Sequence, residues 1–195
     1  MKDLTFTIKH LTKKLKPSRE ESAVVRRHNV LREKYKTRPE LARIVDYAVV
    51  VGKHFDDPFH TSVEMNHELS MPLKTGLHRA VGGDHDLPNP GDILCAALAA
   101  CMESTIRMIA NRLDIRLSYT KVEVEAYVDV HGTLMFDKSV PVGFQNLHIE
   151  VKLGAVNTGE KTLKTLFNAA KRSCVVYQTL KPGVAITKNL TIIME

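Results

Sequence analysis

Cysteine is scarce in this 195-residue sequence, with only three copies, and no two of them form a Cys-x-x-Cys pair. That usage excludes a disulfide scaffold and a zinc knuckle and fits a reducing compartment with one or two functional thiols. No apolar run approaches the roughly 20 residues that a membrane span needs. The N-terminus, MKDLTFTIKHLTKKLKPS, lacks an apolar h-region and a small-residue cleavage site, so no secretory signal is expected and the cytoplasm is the expected location. Walker and GxGxxG patterns, internal repeats and low-complexity tracts are all missing. The nine histidines are scattered, with no HxxxH pair. His85, between Asp84 and Asp86 in a glycine-rich loop, is explained by turn chemistry. No metal and no cofactor is expected.

Charge is present but unevenly placed. The chain carries a net +6, of which residues 1–37 hold +7 and the rest −1. The basic character therefore belongs to the leading segment. Residues 1–40 read as a basic helical extension and 41–195 as the main domain. A basic arm could bind nucleic acid. No aromatic-rich or glycine-rich recognition motif accompanies it, so a solvated helix packing on a partner subunit is expected instead.

Hydrophobic spacing supplies the elements. Ser18 and Glu21 form a capping-box pattern after Pro17, which predicts a charged helix over 18–36. Residues 43–54 are rich in β-branched side chains, and 60–69 alternate with Thr61, Val63, Met65, His67 and Leu69 on one face, so both read as strands. Leu73 to Gly83 is a loop or short strand ending in Gly82-Gly83. A long helix is predicted over 89–115, with Asn89 as cap, Pro90 in the first turn and Asp92 favouring the helix start. Leu94, Ala97, Leu98, Cys101, Thr105 and Met108 make its stripe. Alternating strands follow at 121–130 and 147–153, around a turn at His131-Gly132 and the segment VPVGF. A second helix over about 159–173 aligns Leu163, Leu166, Phe167, Ala170 and Cys174. Lys181-Pro182-Gly183 turns the chain into a closing strand, 184–193. Segregated strands with two long helices predict an α+β fold, without a membrane span.

Cys101 and Cys174 lie on the inward stripes of two different helices. Buried free cysteine is often only a small hydrophobe, and Cys95, on another face of its helix, reads that way. The spacing does not show whether Cys101 and Cys174 touch.

The run NPGDILCAALAACM (89–102) resembles the helix signature of the OsmC/Ohr family, in which Asn-Pro opens a small-residue helix ending in Ala-Ala-Cys. The run AAKRSCVVYQTL (169–180) is similar to that family's second cysteine motif. Both motifs, in order and at family spacing, cover roughly 60–195. The VPVGF and CVVYQTL forms resemble a branch of longer OsmC-like proteins. The resemblance implies antiparallel sheets around two long helices in an intertwined homodimer, and thiol peroxidase activity on organic hydroperoxides or hydrogen peroxide. Cys101 would be the peroxidatic cysteine and Cys174 the resolving one, with a disulfide between them. A dithiol reductant, of the lipoylated-protein kind, would reset the pair.

An ordinary thiol is mostly protonated at neutral pH, so a cation must favour the thiolate. The family uses an arginine on the loop before the helix, held by a carboxylate just inside the helix start. Arg79 is the candidate here. The carboxylate's position holds Gly91, and Asp92, one residue on and about 100° round the helix, is the candidate substitute. That departure motivates an alternative: a non-catalytic OsmC-like module that binds a small apolar ligand at the dimer interface. A third reading gives the arm 1–37 a nucleic-acid or partner-binding role, though no nucleic-acid partner is expected.

Overall fold

A computed structural model describes residues 21–53, 56–66 and 68–194. Helix α1 (Ala23–Thr37) comes first. The predicted box at Ser18 lies outside the described residues. The observed cap is Ser22, whose hydroxyl accepts the Val25 N–H at 3.2 Å. None of its residues is buried. Pro39 opens a 3-10 turn, Pro39–Ala42, because it cannot continue a helical ladder.

The first sheet is antiparallel, in the order β1 (Ala48–Val50), β2 (His60–Met65), β3 (Pro72–Gly76). Val63 stands between Val50 and Leu73 across the two ladders. The strands are shorter than the predicted 43–54 and 60–69. The β-branched run pairs only where β2 faces it, and β2 stops at Asn66, whose φ of 55° turns the chain away. His67 lies outside the described residues. Both β1 and β2 are without a buried residue, and Val45 beside them is 92% exposed. Burial in this sheet is confined to Thr75 and Gly76 at the end of β3, so most of it lacks the apolar layer that normally supports a sheet.

A tight loop joins this sheet to the second unit. Gly82 takes φ 89°, and a Cβ at Gly83 would sit 2.2 Å from the Leu77 carbonyl oxygen, so the predicted Gly82-Gly83 pair is what lets the loop close.

The second unit is built on α2 (Pro90–Arg112), β4 (Leu117–Tyr127), β5 (Asn146–Ala155), α3 (Glu160–Ser173), α4 (Val175–Leu180) and β6 (Ala185–Ile193). A helical turn, Val130–Thr133, replaces the predicted turn at His131-Gly132. The sheet order is β4-β5-β6, with β5 in the middle. Its alternate residues Leu147, Ile149, Val151 and Leu153 are buried. The expectation of wholly antiparallel sheets is corrected at one ladder: β6 runs parallel to β5. The β5–β6 connection passes through two helices, a crossover that brings the chain back in the same direction.

Helix α2 packs against β4, α3 and α4. Its buried residues are Leu98, Met102, Thr105, Ile106 and Ala110. The predicted stripe is thus turned toward Met102 and Ile106, leaving Ala97 exposed and Met108 38% exposed. Helix α3 follows its prediction, burying Leu163, Leu166, Phe167 and Ala170. By length and composition α2 could cross a membrane. In the fold it packs on β4, α3 and α4 and places Leu98, Met102 and Ile106 in the core.

Candidate functional site

Helix α2 carries Cys101 about three turns from its start, half-buried and packed against the core. Cys174 is not on a helix, as the stripe implied, but at the corner between α3 and α4. Its backbone N–H donates to Ala170 and ends α3. Its sulfur accepts the Tyr177 N–H at 3.5 Å and starts α4. The extended φ and ψ of Cys174, −76° and 110°, separate the two helices. Its side chain is wholly buried.

The two sulfurs stand 3.2 Å apart, with the Cys174 thiol donating to Cys101. A disulfide needs about 2.05 Å, so roughly 1.2 Å of approach would close the bond. Burial pushes the Cys174 thiol up to about 12. The Tyr177 N–H pulls the other way, and Cys101 adds to the rise. No basic side chain offsets it. A thiol that holds its proton so firmly is a donor, which leaves Cys101 as the accepting sulfur. Among the described residues Cys174 is the one hydrogen-bond partner of the Cys101 sulfur.

The helix start shows where the other predicted residues lie. Asn89 Oδ1 accepts the N–H groups of Gly91 at 2.8 Å and Asp92 at 3.2 Å. Asp92 Oδ2 accepts the Asn89 N–H at 3.0 Å and its amide Nδ2 at 2.7 Å. Asp92 is therefore half of a capping box. Nine residues separate it from Cys101, about 13.5 Å of helix rise, so the structure does not bring these two together within one chain. Arg79 lies on an exposed 3-10 turn, and its guanidinium has no hydrogen bond or ion pair among the described residues. Cys95 is half-buried, its thiol pushed up by burial and then by Asp92.

Two features escaped the sequence reading. Val175–Leu180 form a helix of their own, and that helix supplies the Tyr177 N–H to Cys174. Gly91 is also more than a missing carboxylate. A Cβ there would meet the Phe144 ring at 3.2 Å, so the VPVGF segment fills the space that a side chain would take. VPVGF stood out in the sequence, but nothing in it pointed at Gly91. Among the described residues no group of three or more His, Cys, Asp or Glu could hold a metal ion. A cleft of about 260 Å³ on the first sheet, lined by Tyr47, Met65 and Met71, contains neither cysteine.

A family model of OsmC-like proteins matches residues 83–189. The fold is similar to a Legionella pneumophila protein described as an organic hydroperoxide resistance protein, with TM-score 0.58, 21% identity, and 76% of this chain and 97% of that one covered. It is similar to an OsmC-like protein of Mycoplasma pneumoniae, with TM-score 0.62, 14% identity and coverage of 77% and 98%. It is also similar to the organic hydroperoxide resistance protein OhrB of Bacillus subtilis, with TM-score 0.52, 15% identity and coverage of 76% and 98%. No curated protein matches the sequence.

Proposed function

The chain belongs to the OsmC-like family, and from that premise we propose that it is a cysteine-based peroxidase reducing organic hydroperoxides or hydrogen peroxide. The observation that carries this reading is the pair of sulfurs 3.2 Å apart, with the proton held on Cys174. Cys101, as thiolate, attacks the peroxide. An S–O bond forms, the O–O bond breaks, and the alcohol or water leaves with a proton. Cys174 then attacks the Cys101 sulfenic acid. The disulfide forms, and the sulfenic hydroxyl leaves as water with the Cys174 proton. A dithiol reductant restores both thiols by exchange. The apolar cluster against which Cys101 packs suits an organic peroxide.

The division of labour follows from burial. Cys174 is closed off and protonated, which suits a residue that must wait for the sulfenic acid. Cys101 is the half-buried partner that a peroxide can reach.

We further propose that the protein is a homodimer and that Arg79 favours the Cys101 thiolate across it. The first sheet and the small-residue side of α2, with Ala96, Ala97 and Ala100 exposed, need cover. Asp92 uses only Oδ2 in the cap, leaving Oδ1 to steady a guanidinium. Antiparallel packing of two α2 helices would set the start of one against the middle of the other, which removes the 13.5 Å problem of a single chain. A reducing cytoplasm suits thiols that must return to the free state.

The alternative, a non-catalytic module binding an apolar ligand between subunits, draws on Gly91 and on the Phe144 ring that fills its side-chain space. Cumene hydroperoxide separates the two readings. Reduced protein should fall from three free thiols to one, with Cys95 retained, and Cys101→Ser should keep both of its thiols. Retention of all three thiols by the wild type would refute the peroxidase.

A further inference from the structure

Between Glu160 and Glu195 the chain has six Lys or Arg residues and no Asp or Glu. Lys161 and Lys164 lie early in α3, where Lys164 pairs with Glu160. The other four gather at the corner that holds Cys174. Lys171 and Arg172 sit in the last turn of α3, Lys181 caps the end of α4, and Lys188 lies on β6. None of the four has an ion pair among the described residues.

The helix dipole accounts for Lys171 and Arg172, which face the carbonyl end of α3. It does not account for Lys188, which comes from a strand. The four share one field: after burial, the charges of Lys188, Arg172 and Lys181 all push the Lys171 ammonium down. Two of them are also held in place. Lys171 Nζ lies 4.9 Å from the centre of the Phe167 ring, and Lys188 Nζ lies 5.9 Å from that of Tyr177. Lys188 donates to the Ile186 carbonyl at 2.8 Å. The amide of Gln178 donates to the Lys171 carbonyl at 2.6 Å, tying α4 to α3. Val175, next to Cys174 in sequence, is 71% exposed at this corner. An apolar knob with a positive surround is the anatomy of a protein-docking patch.

We propose that the α3–α4 corner is the docking surface for an acidic protein that carries the dithiol reductant. This rests on the peroxidase reading above. Phe167 and Tyr177 are buried, so the patch offers no stacking platform for bases, which favours a protein over a nucleic acid. The step balances as thiol–disulfide exchange. One partner thiolate attacks a sulfur of the Cys101–Cys174 disulfide, forming a mixed disulfide and releasing the other cysteine, which takes up a proton. The second partner thiol attacks the mixed disulfide and frees the remaining cysteine. The partner leaves oxidised, having given two electrons and two protons.

The test uses two synthetic peptides with the same Cys-x-x-Cys dithiol, one with glutamate-rich and one with lysine-rich flanks, and neutral dithiothreitol as reference. Rates of disulfide reduction are read for the wild type and for the triple variant Arg172→Glu, Lys181→Glu, Lys188→Glu. Each peptide rate is divided by the dithiothreitol rate for the same protein. For the wild type the glutamate-flanked ratio should exceed the lysine-flanked one by about tenfold or more at low salt and shrink as salt rises. In the variant that preference should vanish or reverse. Equal ratios in the wild type overturn the docking surface alone, as does tight oligonucleotide binding to this corner without peptide discrimination. If peroxide forms no disulfide to be reduced, the peroxidase reading falls and the docking surface with it.

Discussion

Selective alkylation reads the protonation of the cysteine pair directly. Burial pushes the Cys174 thiol from its ordinary 9.0 up to about 12. That difference makes the folded thiolate costlier by about 4 kcal/mol. Only thiolate reacts with iodoacetamide, so at pH 7 Cys174 should react about a thousandfold more slowly than an ordinary thiol from ionisation alone. Its complete burial slows it further. Cys101, half-buried, should be modified first. In Cys101→Ser the competing sulfur is gone, and Cys174 should remain slow, because burial, not Cys101, is the largest cause of its shift. Peptide mass spectrometry after timed quenching gives each site's rate. The Cys174 rate should rise about tenfold per pH unit and still be rising at pH 11, as long as the fold holds. Alkylation of Cys174 at the pace of Cys101 at pH 7, or a plateau below pH 10, would refute the argument that it is the proton-holding partner.

The same shift predicts a loss of stability in alkali. The folded value exceeds the unfolded one, so the contribution is complete below about pH 9 and fades as pH rises toward 12. The stability gap between wild type and Cys174→Ala, from urea unfolding, should shrink over that window by up to about 4 kcal/mol. At the start of α2, Asp92→Ala should cost about 1 kcal/mol, or roughly 2–4 °C in Tm. Asp92→Asn keeps an acceptor for the cap and should cost less, while both slow Cys101 oxidation if Oδ1 steadies Arg79. Gly91→Ala places a methyl 2.9 Å from Asn89 Oδ1 and 3.2 Å from the Phe144 ring, and should lose about 1–2 kcal/mol, part of it recovered with Phe144→Leu. Light scattering should give twice the 21.9 kDa chain mass, and Val45→Asp should lower it.

Local signals in the sequence were legible where one chain's own chemistry decides the structure. Asn89, Pro90 and Asp92 form the cap that their order predicted, because capping needs only the helix's own unpaired N–H groups. The α3 stripe was right, because that helix packs one face mainly on α2 and exposes its other side. The α2 stripe was turned, because a helix apolar on nearly all sides gives periodicity nothing to choose between. The parallel β5–β6 ladder was missed because alternation reports which face is buried, not strand direction. The position of Cys174 was found, but its place between two helices was not. VVYQTL has β-branched residues at its start, and its cap is the Cys174 sulfur, which accepts the Tyr177 N–H and is not a usual capping side chain.

That local arrangement bears on the chemistry. A cysteine inside a helix would have its backbone fixed by ladder bonds on both sides. Cys174 ends one helix and begins the next, and it too is held on both sides: its N–H donates to the Ala170 carbonyl, its carbonyl accepts the Gln178 N–H at 3.0 Å, and its sulfur accepts the Tyr177 N–H. Closing the disulfide needs about 1.2 Å of sulfur movement toward Cys101. Of the contacts that hold Cys174, the 3.5 Å N–H···S bond to Tyr177 has a weak sulfur acceptor, unlike the backbone bonds to Ala170 and Gln178. The same corner carries the exposed Val175 and four cations without an ion pair among the described residues, so the proposed disulfide and the proposed docking surface share the α3–α4 corner.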